Sequence, residues 1–438
     1  MQSRTARFLV VAAALVFGCS SSPHNSSSSS SDAGMSYGSS SGSASSGGSG
    51  SSGESAPSSG SGASSGTSGG SGSNSTSSGS FGSNGGSGSS GSSGSRGSSG
   101  AAVGSKGCGK SSTVTFGSVP GENAGNDGKG TGQGGYVTLT DSAAGGARGF
   151  AMRLPDNYHN TKPYWLIFAY HWNGGSAADI DSGGTNGYWW SYYGLQRKSE
   201  NGAIFVTPDS IGAGWSNPKN QDLYFTDDMI KLVTDNYCVD MSNIITSGFS
   251  WGGGMSYTLA TYRANASTAG YAFRAAVVYE GGNISGADTT STFPIALWQT
   301  EGLTDTTVSM SLATPLRDQF VKNNGCTGWT SDDTPPVTST NVSTNPPVPP
   351  TPGQWLDPGG HICSNYTGCS AGHPIRWCVS QSGHGPGPID GNSSLYNPCA
   401  NPPSTCSASC PCTWTPDDVW TWLNDPSSNA RTPNNTGN

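Results

Sequence analysis

Six short, continuous apolar segments between residues 165 and 379 constrain the fold more than any other feature of the sequence. Runs of this length and composition are typical of parallel strands, which are buried on both faces of a sheet. Helical patterns separate several of them, most clearly from about Thr226 to Tyr237. The alternation predicts an α/β fold with a mostly parallel central sheet flanked by helices. The six segments are Trp165–Ala169, Ala203–Val206, Asn243–Thr246, Ala275–Val278, Pro294–Trp298 and Pro374–Val379.

Three further segments are predicted to complete this body. Tyr136–Thr140 and Arg148–Leu154 alternate apolar and polar residues around a pair of glycines, which predicts an antiparallel hairpin. Thr415-Pro-Asp-Asp418 supplies a cap, a proline at the first helical position and an acidic first turn, which predicts a final amphipathic helix. The stretch rich in proline and threonine from about residue 327 to 360 is expected to be a long surface insertion.

The N-terminal quarter of the chain is predicted to lie outside the fold. Arg4 and Arg7 precede an apolar run that is too short for a retained membrane span, which is typical of a secretory signal over residues 1–18. Val16-Phe-Gly-Cys19 resembles the lipobox of bacterial lipoproteins, in which the cysteine (here Cys19) carries the lipid; the alternative is an ordinary signal peptide with an incidental cysteine. Residues 19–106, mostly serine and glycine, are expected to form a disordered linker. The sequence thus predicts an extracellular or outer-membrane lipoprotein whose folded domain spans residues 107–438.

The cysteines and the charge narrow the class of protein further. Ten cysteines follow Cys19, and an even number in an exported protein predicts up to five disulfides of undetermined pairing. A zinc site near Cys406, Cys410 and Cys412 is the alternative, but the spacing fits no common zinc motif and no histidine lies among them. Neither a metal nor another cofactor is therefore expected. A net charge of −8 argues against nucleic-acid binding.

Ser250 is the candidate nucleophile. It lies in Gly248-Phe-Ser-Trp-Gly252, which matches G-x-S-x-G, a pattern that the linker also produces by chance at Ser36 and Ser64. Ser250 differs because an apolar strand precedes it and a glycine-rich helical run follows, as a nucleophile elbow requires. The N-terminus of that helix would favour the negative charge that develops on a substrate oxygen. The alternative is a glycine-rich turn that binds phosphate or serves only as a turn.

A serine hydroxyl needs a base, and in α/β-hydrolases the acid and then the histidine follow the serine along the chain. His384 follows the last apolar run directly and is the predicted base, whereas His361 and His373 are expected to be ordinary loop histidines. Asp305, on the loop after Pro294–Trp298, is the predicted acid that orients the imidazole. Glu301 and, less favoured, Glu280 are alternative acids, and Asp305 could instead only form a turn.

Two backbone N–H groups are needed for an oxyanion hole. Trp251, directly after the nucleophile, should supply one, and Trp172, on the His171–Gly175 loop, should supply the other, with Asn173 close behind. His171 precedes the serine in the chain and is expected to order this loop. The aromatic run Tyr188–Tyr193 is interpreted either as a wall that stacks on a substrate ring or as a packed cap.

A series of short motifs occurs in order along the chain. They are Gly107–Lys110, Leu154–Tyr158, Lys162–Phe168, His171–Gly175, Tyr193–Leu195, Phe205–Asp209, Gly214-Trp215, Cys238–Asp240, Gly248–Gly253, Arg317–Phe320, Asn323–Cys326 and Gly383-His384. With these motifs the chain resembles, from about Cys108 to Leu423, feruloyl esterases of carbohydrate esterase family 1, especially the fungal type and its bacterial relatives.

This resemblance implies a disulfide-stabilised α/β-hydrolase fold and a serine esterase that releases ferulic acid from feruloylated arabinoxylan, with Ser250, Asp305 and His384 on the triad positions. The family commonly has His-Gly before its acid and Gly-Gly before its histidine. Here these positions hold Glu301-Gly302 and Ser382-Gly383. Acetyl-xylan esterases and polyhydroxybutyrate depolymerases are similar, so these substrates remain alternatives. A carbohydrate-binding surface lipoprotein on an inactivated hydrolase fold is the alternative outside the enzymes, and contact with a membrane is expected only through the N-terminal lipid.

Overall fold

The computed structural model describes residues 103–121, 133–183, 191–332, 337–346, 360–390 and 412–425. The predicted signal peptide, Cys19 and the linker as far as residue 102 lie outside these ranges, so their assignments remain predictions. Cys399, Cys406 and Cys410 and the first part of the aromatic run, Tyr188 to Trp190, also lie outside them.

Within the described residues, eleven strands form a single sheet in the order β1-β2-β4-β3-β5-β6-β7-β11-β10-β8-β9. Neighbours from β4 to β11 in this order run parallel, and the strands at both edges run antiparallel. Each of the six predicted segments overlaps one of the parallel strands, which confirms the predicted sheet. The strands are β1 Gln133–Asp141, β2 Gly146–Leu154, β3 Tyr164–Tyr170, β4 Ala203–Pro208, β5 Val239–Phe249, β6 Ala275–Tyr279, β7 Ala296–Gly302, β8 Gly328–Ser331, β9 Thr338–Ser339, β10 His361–Thr367 and β11 Ile375–Ser380.

Helices cover both faces of the sheet, as the alternating pattern predicts. Successive strand residues contribute to two separate apolar clusters: in β3, for example, Leu166 and Phe168 pack into one cluster and Ile167 into the other. The first cluster includes residues of α3, α4 and α6, and the second includes residues of α1, α2 and α7. The helices are α1 Ala177–Ser182, α2 Leu195–Lys198, α3 Gln221–Asn236, α4 Trp251–Tyr262, α5 Ala266–Ala269, α6 Met310–Asn323 and α7 Thr415–Asn424. Among the described residues, no helix is both long and apolar enough to cross a bilayer.

The structure differs from the sequence predictions at several element boundaries. The helix predicted from Thr226 begins at Gln221, five residues earlier. Thr415 is the first residue of α7 and not its cap, and its hydroxyl donates to the carbonyl of Pro386, 3.3 Å away. The predicted surface insertion is only partly a loop, because its described residues include β8 and β9, which extend the sheet beyond β10.

Three disulfides join described cysteines, which agrees with the predicted stabilisation: Cys108–Cys238, Cys326–Cys369 and Cys363–Cys378. Cys412 is also disulfide-bonded, and its partner lies outside the described ranges. Some described residues that precede the predicted boundary at residue 107 also contact the folded domain. Ser105 is buried, and its hydroxyl donates to the carbonyl of Tyr237 at 2.6 Å. The last residues of the predicted linker therefore pack against the start of β5, next to the first disulfide.

Candidate active site

Ser250 occupies a sharp turn between β5 and α4. Its backbone has φ 56° and ψ −118°, a region that side chains rarely adopt and that costs on the order of 1–3 kcal/mol. The two glycines of the motif make this turn possible. A Cβ on Gly248 would lie 2.3 Å from the backbone of Gly252, and a Cβ on Gly252 would lie 2.0 Å from the carbonyl oxygen of Tyr170. The motif thus packs strand, turn and helix so closely that a Cβ at either glycine would force the neighbouring backbone to move.

The predicted nucleophile, base and acid come together in one line of hydrogen bonds. Ser250 Oγ lies 2.8 Å from His384 Nε2, and His384 Nδ1 lies 2.7 Å from Asp305 Oδ2. Because a carboxylate only accepts, this geometry requires the proton on Nδ1, and in the neutral imidazole Nε2 is then free to accept from the serine hydroxyl. The ring of Phe249 packs beside the imidazole, with centroids 4.6 Å apart. The arrangement can move a proton from serine to histidine.

The Asp305 side chain is fixed from two sides. Its Oδ2 faces His384, while its Oδ1 accepts the backbone N–H groups of Thr307 at 2.7 Å and Val308 at 2.9 Å. Asp305 thus makes both the turn and the contact to the histidine, two interpretations that the sequence treats as alternatives. Backbone hydrogen bonds also join its loop to the histidine loop, from Leu303 to Ser380 at 2.9 Å and from Thr304 to Ser382 at 3.1 Å.

A second carboxylate, that of Glu280, also reaches His384. Glu280 follows the end of β6, is fully buried, and places Oε2 3.4 Å from His384 Nδ1. The same oxygen accepts the backbone N–H of Gly385. Burial raises the pKa of Glu280, against the opposing effect of the His384 contact. Burial alone would lower the pKa of His384, but the hydrogen bonds to Asp305 and Glu280 outweigh it, so that this pKa is raised above its usual value.

Glu301, the favoured alternative acid, does not face the histidine. It lies inside β7, fully buried, and its Oε1 accepts the side-chain amide of Gln299 at 3.0 Å. Burial raises the pKa of Glu301 well above its usual value, and the nearby Glu280 adds to the effect. Of the two glutamates, the less favoured one contacts the histidine, because β6 lies between the nucleophile strand and the acid strand, which the sequence does not show.

The predicted oxyanion loop follows β3 directly. His171 is buried, its Nδ1 lies 2.7 Å from the carbonyl oxygen of Trp172, and its Nε2 accepts the backbone N–H of Ser210 at 3.3 Å. These contacts hold the loop, as expected for this histidine. Trp251 is the first residue of α4, and the close contact between Gly252 and the end of β3 brings both predicted donor segments beside Ser250.

The other predicted candidates lie elsewhere. His361 stacks on Trp414 with ring centroids 3.7 Å apart and pairs with Asp390, and His373 lies 3.1 Å from the hydroxyl of Ser370. In the described part of the aromatic run, Tyr192 and Tyr193 are buried. Their hydroxyls donate to Asp181 at 2.8 Å and to the carbonyl of Tyr170 at 2.7 Å. These two tyrosines are therefore part of the packed core and do not form a substrate wall.

The chain is similar to curated feruloyl esterases. It is 35% identical to feruloyl esterase C of Emericella nidulans over 57% of this chain and 80% of that protein. It is 33% identical to feruloyl esterase D of Neurospora crassa over 66% of this chain and 85% of that protein. No protein-family model matches the chain. Among solved structures, an acetyl xylan esterase from Aspergillus awamori gives a TM-score of 0.37 at 16% identity, over 57% of this chain and 94% of that one, which is too distant to bear on function.

Proposed function

We propose that this chain, which belongs to the feruloyl esterase family, releases ferulic acid from feruloylated arabinoxylan. In the proposed mechanism Ser250 is the nucleophile, His384 is the base and Asp305 is the acid. The chain is a carboxylic ester hydrolase, like its relatives. The observation that carries the assignment of residues is the unbroken line of hydrogen bonds from Ser250 through His384 to Asp305. The names of the relatives support the ferulate ester as substrate.

In the first half of the proposed reaction, Ser250 Oγ attacks the ester carbonyl carbon while its proton passes to His384 Nε2. The carbonyl oxygen becomes an oxyanion, which the backbone N–H groups of Trp172 and Trp251 stabilise. When the tetrahedral intermediate collapses, the bond to the sugar oxygen breaks, and His384 returns the proton to that leaving oxygen. A feruloyl group then remains bound to Ser250.

In the second half, a water molecule attacks the acyl carbon and gives one proton to His384. Collapse of the second tetrahedral intermediate breaks the bond to Ser250 Oγ, which regains this proton, and ferulic acid leaves. Asp305 acts in both halves by holding Nδ1–H and stabilising the imidazolium that forms each time.

Turnover by the full chain tests the proposal. We expect Ser250→Ala to lower kcat by at least about 10³-fold without changing the thermal midpoint, because it removes the nucleophile and leaves the fold intact. Methyl ferulate, p-nitrophenyl acetate and feruloylated arabinoxylan should be compared at equal enzyme concentration. If acetyl release far exceeds feruloyl release, the substrate is wrong and an acetyl-xylan or polyester substrate takes its place. If no ester is cleaved but xylan is bound, the non-catalytic alternative holds.

Export and anchoring form the second part of the proposal. The disulfides agree with an extracellular location, because such bonds persist in oxidising compartments. The Val16–Cys19 motif supports a lipid on Cys19, with residues 20–102 as a tether, since residues 103–106 pack against the folded domain. Metabolic labelling with a fatty acid should mark the full chain and fail to mark Cys19→Ser. Label that persists in the variant would refute the anchor without affecting the esterase.

A further inference from the structure

We propose that Glu280 is a positioning residue that gives the His384 imidazolium a second anionic partner and holds the loop that carries it. This inference rests on the proposed function, because it assigns a role within the same triad. It concerns a carboxylate that follows a different strand from both Ser250 and Asp305.

The first argument is the contact itself. Nδ1 of His384 carries one proton and faces two carboxylates, Asp305 Oδ2 at 2.7 Å and Glu280 Oε2 at 3.4 Å. Asp305 takes the direct hydrogen bond, and Glu280 lies within the distance at which an opposite charge favours an imidazolium. Since Glu280 is fully buried, water screens this interaction little.

The second argument is the placement of Glu280 in the fold. Its backbone has φ 46°, a conformation that is uncommon for a residue with a side chain. The carbonyl of Tyr279, the residue before Glu280, accepts the backbone N–H of Ser250 at 3.0 Å. The backbone N–H of Glu280 donates to the carbonyl of Thr300 at 3.0 Å. Glu280 is thus tied to the nucleophile turn and to β7, while its side chain binds Gly385, the residue after the base.

The third argument is what surrounds the carboxylate. Glu280 Oε1 is buried and has no hydrogen-bond partner among the described residues. The charged or titratable groups that influence this cluster are His384, Asp305, Glu301 and, through Glu301, Arg317. Burial disfavours the charged form of Glu280, and the described groups that oppose this effect and favour the carboxylate are His384 and the backbone N–H of Gly385.

Glu280, Asp305 and His384 also have the chemistry of a divalent metal site, because their ligand atoms lie within 4.8 Å of one another. The hydrogen bond between His384 Nδ1 and Asp305 argues against a metal. Because a carboxylate only accepts, Nδ1 carries the proton and has no lone pair for a metal. The two carboxylates therefore act on a proton.

The test is a double-mutant cycle in the full chain, with Asp305→Ala, Glu280→Gln and both together, read by kcat on methyl ferulate. Glutamine keeps an oxygen for the Gly385 N–H but removes the charge. We expect Glu280→Gln to lower kcat less than about tenfold when Asp305 is present. In the Asp305→Ala background, Glu280→Gln should lower kcat by a factor at least about tenfold larger than the factor in the wild-type background. The reason is that Glu280 is then the remaining anion beside the histidine. Equal factors in both backgrounds, within about threefold, would overturn the proposal.

The pH profile separates charge from structure. Neutral His384 is the active base, so kcat/KM is lost as pH falls through its pKa. Removing the Glu280 charge should lower this pKa and move the acid limb to lower pH by about one unit, whereas Glu280→Asp should retain part of the original profile. An acid limb that does not move in Glu280→Gln would mean that the residue is only structural and would also overturn the proposal.

Two controls make failure informative. Glu301→Gln is the matched variant: it replaces an equally buried glutamate that forms no hydrogen bond or ion pair with His384 among the described residues, so it should leave kcat within about threefold and the acid limb in place. Ser250→Ala sets the uncatalysed baseline. If Ser250→Ala were as active as the wild type, the proposed function would fail, whereas an additive cycle above that baseline refutes only the role of Glu280. The thermal midpoint of each variant identifies misfolding, and Glu280→Asp then provides the folded comparison.

Discussion

Adding a single methyl group at Gly252 should disable the enzyme by moving the His171–Gly175 loop, which we propose forms part of the oxyanion hole. A Cβ at this position would lie 2.0 Å from the Tyr170 carbonyl oxygen and 2.7 Å from that of His171. Carbon and oxygen atoms in ordinary contact lie well beyond 3 Å apart, and both obstacles are backbone atoms. The end of β3 must therefore retreat by more than about 1 Å for Gly252→Ala to fold.

The retreat has two measurable consequences. Overpacking of this kind costs about 1–3 kcal/mol, partly offset by about 1 kcal/mol because alanine favours the helix. Trp172 lies two residues beyond Tyr170, so its N–H moves away from the oxyanion position. A misplacement of about 1 Å can cost about 10²-fold in rate. We therefore expect kcat for methyl ferulate to fall by about 10²-fold, while the thermal midpoint falls by only a few degrees.

Gly254→Ala is the matched control in the same helix. Its nearest obstacle is the Ile284 side chain, at 2.5 Å, and its nearest backbone obstacle is the Gly282 carbonyl oxygen, at 3.0 Å, so the backbone overlap is far smaller than at Gly252. This variant should keep its kcat within about threefold. Titration with an irreversible fluorophosphonate gives the fraction of reactive Ser250 in each preparation and corrects for misfolded protein. A Gly252→Ala enzyme with normal kcat would refute the proposed coupling between the elbow and the oxyanion loop.

Two further predictions concern stability. Asp181→Ala should lower the free energy of unfolding, measured by chemical denaturation, by about 3 kcal/mol or more. The reason is that fully buried Asp181 pairs with Arg153 and accepts the Tyr192 hydroxyl. Lys231→Met, at an exposed ion pair, is the control and should not measurably change the free energy of unfolding. Glu301→Gln should stabilise the chain, relative to the wild type, progressively as pH rises from 5 to 8. Folding raises the pKa of Glu301, so the contribution of this residue to the free energy of unfolding is present at low pH and is lost as pH increases. Glutamine does not titrate and therefore avoids this loss. A difference in thermal midpoint that is constant across this range would contradict the second prediction.

The sequence predicts those parts of the fold that depend on local pattern. The continuous apolar runs identify the parallel strands, and the glycine spacing around Ser250 identifies the turn, because both signals lie within a few consecutive residues. The sequence does not predict strand β10. Its residues, His361–Thr367, mix polar and apolar side chains, because the strand lies near the edge of the sheet. Its pairing with β11 also decides the bond between Cys363 and Cys378, which face each other across the two strands.

The parts of the candidate site that the sequence does not reveal depend on which distant residues meet. From the sequence, the aromatic run is equally consistent with packing in the core and with binding a substrate ring. The structure decides for Tyr192 and Tyr193, because their hydroxyls donate to Asp181 and to the Tyr170 carbonyl. Glu280 is inconspicuous for the same reason, because its importance follows from the position of β6 beside β5. Asp305 and His384 are more accessible to prediction, since chain order alone limits the choice to a few residues.

The order of strands at the centre of the sheet has a consequence for engineering. β5, β6, β7 and β11 are adjacent, and Ser250, Glu280, Asp305 and His384 follow their carboxyl ends in the same order. The spacing of the reacting groups is thus governed by the roughly 4.8 Å separation of hydrogen-bonded strands and by their register. Exchanging outer helices or the peripheral strands β8 and β9 with those of a relative should preserve the chemistry. Inserting one residue within any of these four strands should abolish it.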